Sequence, residues 1–143
     1  MRAIRIHEYG GPEVMKLESI EQQSPGSGQI RIKQKFIGLN FIDVYMRTGV
    51  YPVGDFPATL GMEAMGVVEA IGDGVTGVNI GDRVAYTMVA GAYADERIIE
   101  ADKTVPVPDS IDDRTAGSIM LKGLTAHYLL FRTYPVKPGE TIL

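Results

Sequence analysis

The class of fold is decided by residues 29–40, which read QIRIKQKFIGLN. Polar and apolar side chains alternate from Gln29 to Phe36, and this alternation predicts a strand with one buried and one solvated face. Gly38 ends the strand. Asn40 is then a good N-cap for a short helix over residues 41–47, with Asp43 near the positive end of the helix dipole. The stretch therefore predicts a strand that leads directly into a short helix.

Other short strands surround this stretch. Patterns of the same kind predict strands at residues 2–7, 14–20, 65–71, 82–86 and 91–100, and residues 48–60 are a loop. The 17 Gly and 8 Pro suit many short strands better than a helical bundle. Apolar residues then recur at helical spacing over residues 116–131, in a region for which Ser110 is the expected N-cap, and residues 140–143 look like the opening of another strand. A mainly β, barrel-like domain with a helical exit is predicted.

Charge and composition exclude several classes of function. The formal net charge is −4 and the basic residues are scattered, which argues against nucleic-acid binding. The chain has no Cys, so disulfides and thiolate metal sites are excluded. No apolar run approaches 18 residues, and the N-terminus alternates instead of forming a signal peptide. We therefore expect no membrane partner and a cytoplasmic location.

Metal and phosphate motifs are weak in this sequence. His7 and His127 each stand without a second His at chelating spacing, and so no metal site is predicted. Gly72, Gly74 and Gly77 match the Gly-x-Gly-x-x-Gly pattern of dinucleotide sites. The following residues 78–82 are too short and too bounded by Gly to form the helix that such a site needs, which favours a turn between strands.

The segment from Asn40 to Tyr51 is the best candidate for a ligand site. On a helix, Phe41, Val44 and Tyr45 share a face, Asn40 offers an amide, and Tyr45 and Tyr51 offer phenol hydroxyls. This set suits a flat, partly apolar ligand. The alternative is a capped helix with two ordinary surface tyrosines, and the residues alone leave both open.

Glu63 is the other unusual residue. Its carboxylate lies in an apolar, small-residue stretch between Gly61 and Gly66. Carboxylates in such surroundings are rarely buried without a partner. Glu63 is therefore either a buried partner in an ion pair or an acid in a site.

Ordered motifs over nearly the whole chain resemble the zinc-free, zeta-crystallin-like quinone oxidoreductase branch of the medium-chain dehydrogenase/reductase superfamily. They are GGPEV at 10–14, GLNFID at 38–43, GVYP at 49–52, LGMEAMGVV at 60–68, GDRV at 81–84, GAYA at 91–94 and KGLTA at 122–126. In the similar zinc alcohol dehydrogenases, the positions of Asn40 and Met62 are a Cys and a His ligand. Their replacement here implies an enzyme without zinc.

The resemblance implies a fold and a division of the chain. Residues 1–121 correspond to a chaperonin-10-like (GroES-like) catalytic domain, a partly open β-barrel. Residues 122–143 correspond to a helix and to the start of a Rossmann cofactor domain. The phosphate-binding loop of that domain and a later segment that completes the catalytic domain would follow Leu143. We expect the full-length enzyme to be a homodimer through the Rossmann domain.

The resemblance also implies an activity, namely hydride transfer from NADPH to a quinone or an enone. Expected catalytic residues are Asn40, Tyr45 and Tyr51. Expected cofactor-binding residues are Asn40, Phe41, Ile42, Asp43, Val44, Tyr45, Thr125 and Tyr128. The alternatives are a zinc-free enoyl or alkenal reductase and, in another class, a stand-alone binding module like the co-chaperonin.

Overall fold

The computed structural model describes residues 1–142. The strands in this part of the chain are β1 (Arg2–Ile6), β2 (Lys16–Ser19), β3 (Gln29–Gly38), β4 (Ala58–Thr59), β5 (Glu63–Ile71), β6 (Arg83–Thr87), β7 (Glu96–Glu100) and β8 (Val105–Pro106). The helices are α1 (Phe41–Thr48) and α2 (Asp113–Tyr128), and α2 continues into a π-helical turn over residues 129–133. The predicted mainly β class is confirmed. No helix in residues 1–142 is long and apolar enough to cross a membrane.

The strands form two antiparallel sheets. One has the order β2-β1-β4, and the other has the order β7-β3-β5-β6-β8. A single bridge between Ala3 and Ala94 links the first sheet to the segment before β7. Neither sheet closes on itself, in keeping with a partly open barrel.

Strand β3 is central because it pairs with both β5 and β7. Its alternation works as predicted: Ile30 and Ile32 are fully buried in the main apolar cluster, while Arg31 and Lys33 lie on the opposite face. Burying each of these isoleucines contributes about 1.5–3 kcal/mol to the free energy of unfolding. This strand therefore anchors the turn that carries Asn40.

Helix α2 packs very closely against β3. A Cβ atom added to Gly117 would lie only 2.7 Å from the carbonyl oxygen of Phe36, so only glycine permits this approach. The helix starts later than predicted, because Asp112 and not Ser110 is the N-cap. The Asp112 carboxylate accepts a hydrogen bond from the backbone N–H of Thr115 at 3.0 Å, and this bond lowers the pKa of Asp112.

Other boundaries also differ from the sequence predictions. Strand β5 begins at Glu63, and β7 begins only at Glu96 because the backbone N–H groups of residues 91–93 bond back to residues 60 and 61. The loop over residues 48–60 contains the short β4, which pairs with β1. Residues 140–142 do not form the expected strand, since they have no strand beside them to pair with; Leu143 lies outside the described residues.

Candidate functional site

Helix α1 begins directly after β3 at a turn that Asp43 holds in place. Asn40 has extended backbone at the N-cap position, as predicted, and its backbone N–H donates to the Asp43 carboxylate at 3.0 Å. The Tyr93 hydroxyl donates to the same carboxylate oxygen at 2.7 Å. Burial raises the pKa of Tyr93, and the hydrogen bond and charge of Asp43 raise it further. The turn that presents Asn40 is thus fixed by two donors on one carboxylate.

The side-chain amide of Asn40 makes two polar contacts. Its Nδ2 donates to Oε1 of Glu63 at 2.9 Å, and its Oδ1 accepts from Nζ of Lys122 at 2.8 Å. An amide turned by 180° would place its oxygen against the Glu63 carboxylate and its N–H₂ against the Lys122 ammonium. These two contacts therefore define which end of the amide lies where.

Glu63 is completely buried and receives hydrogen bonds from several elements. Besides Asn40, the backbone N–H of Leu121 donates to its Oε2 at 2.7 Å, and Nζ of Lys122 lies 3.4 Å from its Oε1. A Cβ atom on Gly38 would come within 2.3 Å of the Glu63 side chain, so the glycine makes room for it. Of the two interpretations left open by the sequence, the structure shows the paired carboxylate.

Three aromatic rings form an exposed row along α1 and the loop after it. The ring centroids of Phe41 and Tyr45 are 5.1 Å apart and those of Tyr45 and Tyr51 are 5.3 Å apart, both in edge-on arrangements. The backbone N–H of Tyr51 donates to the carbonyl oxygen of Tyr45 at 3.1 Å, which fixes the loop onto the helix. Tyr51 remains about half exposed, at 51%. The row presents aromatic edges and two phenol groups to solvent beside the turn at Asn40.

The remaining predicted site residues lie in different surroundings. Ile42 packs against the second apolar cluster, which includes Met46 and Met62, so its side chain belongs to the core. Thr125 and Tyr128 lie on α2 beyond Lys122, and the Thr125 hydroxyl donates to the carbonyl oxygen of Leu121 at 2.8 Å. Thr125 is thus one helical turn after the residue that anchors α2 to Glu63.

A cavity beside α1 meets the aromatic row only at Phe41. It has a volume of about 830 Å³ and lies between the β2-β1-β4 sheet, the end of β3 and α1. Asn40, Asp43 and Arg47 line it from α1, whereas Tyr45 and Tyr51 lie outside it. The candidate site is the row together with the Asn40 amide, and it adjoins this cavity at Asn40 and Phe41. The predicted residues Phe41 and Val44 line the cavity as well.

The two histidines are accounted for by local contacts. His7 pairs with Glu18 across β1 and β2, and its hydrogen bond lowers the pKa of Glu18. The rings of His127 and Phe131 are 5.0 Å apart on the end of α2. Within residues 1–142, no three His, Cys, Asp or Glu side chains come together in a way that could hold a metal ion.

The glycine pattern at residues 72–77 is a turn between strands, as predicted. Strand β5 ends at Ile71, β6 begins at Arg83, and no helix separates them. The backbone N–H of Gly72 donates to the carbonyl oxygen of Gln29 at 2.8 Å, which closes the turn against the start of β3.

The sequence did not identify three residues that complete the site, Tyr93, Leu121 and Lys122. Lys122 carried a usable signal, since it is a charged residue within the otherwise apolar and small KGLTA segment. Leu121 acts through its backbone N–H, which side-chain patterns do not reveal. Tyr93 gave no signal, because a phenol 50 residues from Asp43 has no spacing that links the two.

Comparison with known proteins identifies the domain. The sequence pattern described as the alcohol dehydrogenase GroES-like domain matches residues 26–134. The chain belongs to this family. The GroES-like fold that the resemblance implied is thereby confirmed.

Individual members of the family are similar over nearly the whole chain. A quinone oxidoreductase of Pseudomonas aeruginosa is 46% identical over 143 residues, which cover 99% of this chain and 44% of that protein. A 2-haloacrylate reductase of a Burkholderia species is 44% identical over 96% of this chain and 43% of that protein. The crystal structure of an Escherichia coli quinone oxidoreductase complexed with NADPH matches with a TM-score of 0.95 and 42% identity, covering 98% of this chain and 43% of that one. The chain therefore spans less than half the length of these relatives.

Proposed function

We propose that the polypeptide to which this GroES-like domain belongs reduces quinones with NADPH and without zinc, and that this chain is its substrate-side domain. One observation carries the proposal: the fold closely matches that of a quinone oxidoreductase solved with NADPH. In keeping with it, the amide of Asn40, held by two contacts, lies next to an exposed aromatic row. A flat ring substrate and a flat nicotinamide both suit such a surface. The expected reaction is therefore hydride transfer between two stacked rings.

The residues around α1 have the chemistry that a nicotinamide needs. The Asn40 amide has a second N–H beyond the one donated to Glu63, and Asn40 lines the neighbouring cavity. We propose that this N–H donates to a carbonyl group of the cofactor. Tyr45 offers an aromatic edge on the same helix. Thr125 and Tyr128 would approach the cofactor from α2. Phosphate groups would have to be bound elsewhere, because the glycine-rich turn at residues 72–77 leads into no helix.

The chain's own part in the reaction is to orient the rings and to stabilise charge. NADPH, when bound, supplies the hydride. Negative charge then develops on the quinone oxygen, and without a metal it must be stabilised by hydrogen-bond donors. We assign this role to the hydroxyl of Tyr51 or Tyr45, with Asn40 orienting the cofactor. Water can deliver the proton to the quinone oxygen, because the protein has to supply only a hydrogen-bond donor there and no acid.

The test is Tyr51→Phe in the full-length enzyme, with Tyr134→Phe as the control. Both changes remove one hydroxyl from a tyrosine that is more than half exposed, and Tyr134 lies at the far end of the chain. If the Tyr51 hydroxyl stabilises the developing charge, kcat/KM with benzoquinone falls about tenfold to a hundredfold while Tyr134→Phe leaves it unchanged. An unchanged kcat/KM in Tyr51→Phe would contradict a role for the hydroxyl and leave only the ring of Tyr51 as part of the pocket wall.

A zinc-free enoyl or alkenal reductase is the second candidate. Similarity to a 2-haloacrylate reductase favours it, because that protein's name indicates a conjugated carbon–carbon double bond as substrate. The same row and amide could stabilise the charge that forms on a conjugated carbonyl oxygen. Comparing kcat/KM for benzoquinone with kcat/KM for a short enone or acrylate decides between the two.

A stand-alone module like the co-chaperonin is less well supported. Such a module depends on a mobile apolar loop, and residues 48–60 form the loop at that place. Here Phe56 packs edge-on against Tyr9 at 5.0 Å, and the backbone N–H of Val53 donates to the Tyr9 hydroxyl at 3.2 Å. A loop held by these two contacts does not suit the role of a mobile binding loop.

Independence from zinc is supported by what Asn40 and Met62 do here. The amide of Asn40 is engaged by Glu63 and Lys122, and Met62 packs in an apolar cluster. Elemental analysis of the purified full-length enzyme tests the proposal, and stoichiometric zinc whose removal abolishes quinone reduction would contradict it.

The expected domain division and assembly stay proposals. The boundary between residues 121 and 122 falls inside the continuous helix α2, so one helix would serve both domains. The 830 Å³ cavity offers a surface on which the expected later segment could pack. Dimerisation through the Rossmann domain and a cytoplasmic location remain predictions, to be checked by light scattering and by fractionation.

A further inference from the structure

We propose that Lys122 is a positioning residue for Asn40 and that it acts together with the buried Glu63. The catalytic consequence rests on the proposed function, whereas the effect on the Asn40 amide does not. The proposal concerns a residue on α2, outside the segment from Asn40 to Tyr51 that supplies the other candidate groups.

The ammonium of Lys122 meets oxygen atoms from three sources at one point. Its Nζ lies 2.8 Å from Oδ1 of Asn40, 3.3 Å from the carbonyl oxygen of Leu39 and 3.4 Å from Oε1 of Glu63. An ammonium has three N–H donors, so all of them can be used at the turn between β3 and α1. A surface lysine normally keeps its donors for water. Lys122 instead brings its charge back onto this turn, although its side chain is 55% exposed.

The ammonium and the carboxylate hold opposite ends of the Asn40 amide. Glu63 can only accept from Nδ2, and Lys122 can only donate to Oδ1. With both present, the plane of the amide is fixed, and with it the direction of the second N–H of Asn40. Without Lys122, the amide oxygen loses its cation, and rotation of the amide about the Cβ–Cγ bond becomes easier. Lys122 therefore sets the direction of the N–H that the proposed function assigns to the cofactor.

The same contacts connect α2 to the turn. The backbone N–H of Leu121 holds Glu63 from the helix, and the neighbouring Lys122 holds Asn40. A displacement of α2 would move both groups together. The orientation of the amide is thus linked to the position of the helix that carries Thr125 and Tyr128.

Lys122→Met and Lys122→Arg test the proposal in the full-length enzyme, with Lys103→Met as the matched control. Lys103 is 56% exposed and makes only a 3.9 Å surface contact with Asp102. Lys103→Met therefore removes the same charge as Lys122→Met from a side chain of nearly equal exposure. We expect Lys122→Met to lower kcat for benzoquinone about tenfold with KM for NADPH changed less than about threefold. Lys122→Arg should restore most of the rate, and Lys103→Met should leave it unchanged.

A second measurement reads the amide directly in the 143-residue chain. The sequence contains only two asparagines, Asn40 and Asn79, so selective ¹⁵N labelling gives two side-chain amide groups. In Lys122→Met the Asn40 pair should shift and exchange its protons with solvent faster than in the wild type, while the Asn79 pair stays in place. Asn79 thus serves as an internal reference.

The outcomes separate the two proposals. If the wild-type enzyme reduces no quinone, the proposed function fails, and the amide signals alone decide the role of Lys122. If Lys122→Met leaves both kcat and the Asn40 signals as they are in Lys103→Met, Lys122 is a surface lysine and the inference is overturned. A lower kcat with unmoved Asn40 signals also overturns it, since Lys122 would then act by another route.

Discussion

Replacing Glu63 with Gln should destabilise the domain far more than the same change at a neighbouring glutamate. The two carboxylate oxygens of Glu63 accept from Asn40 and Lys122 on one side and from the backbone N–H of Leu121 on the other. A glutamine amide has one oxygen and one N–H₂ group. Whichever way it turns, the N–H₂ faces a donor, and one buried donor loses its acceptor.

The expected loss follows from these contacts. A buried donor left unsatisfied costs about 1–3 kcal/mol. Loss of the charge adds up to about 1 kcal/mol for the contact with Lys122, whose own side chain is half exposed and screened by water. The free energy of unfolding should therefore fall by about 1–4 kcal/mol. Glu69 lies on the same strand, β5, and makes only a 3.6 Å surface contact with Lys33, so Glu69→Gln should cost less than about 1 kcal/mol.

Urea denaturation measures both variants. With a slope of about 2 kcal/mol per molar, the unfolding midpoint of Glu63→Gln should move down by about 0.5–2 M and that of Glu69→Gln by less than about 0.5 M. Equal midpoints for the two variants would refute the reasoning, because the buried donors would then have found other acceptors or water.

Three other predictions concern packing, pH and cofactor binding. Gly117→Ala should lower the melting temperature because its Cβ would meet the carbonyl group of Phe36 at 2.7 Å, whereas Gly123→Ala on the same helix, whose nearest contact is at 3.4 Å, should raise it. Because its pKa is raised, Tyr93 keeps its proton in the folded chain above a pH of about 10, where the unfolded chain loses it. The stabilisation that the Tyr93 hydroxyl contributes is thus present below that pH and is lost progressively above it. Thermal melts between pH of about 9 and 11 should accordingly fall less steeply for Tyr93→Phe than for the wild type. The 143-residue chain should bind NADPH with a Kd weaker than about 10 μM by calorimetry, since phosphate-binding loops dominate the affinity for dinucleotides and the glycine-rich turn at residues 72–77 leads into no helix.

The sequence predicted the fold well wherever a local pattern carried the information. Alternation located β3 because its two faces meet different surroundings, and Asn40 marked the start of α1. The start of α2 was misplaced because Ser110 and Asp112 are both good caps, and only packing selects between them. Strand β4 was missed because two residues form no pattern, and its pairing with β1 is a long-range contact.

The candidate site was predicted only where local sequence carries the information. The aromatic row on α1 follows from helical spacing, and Asn40 from its place after β3. The rest of the site joins Glu63 to Lys122 across 59 positions of sequence, and no local pattern can indicate such a pair. Glu63 could be recognised as unusual, but its partners could not be named until the chain was folded.

The contact between Gly38 and Glu63 constrains how this domain can change by mutation. The two residues are paired across β3 and β5, and any side chain at position 38 would occupy the space of the Glu63 carboxylate stem. A relative could accept alanine at position 38 only after the residue at position 63 had become shorter. Substitutions at these sites should therefore occur in a fixed order, and an alignment of distant relatives should show the two positions covarying.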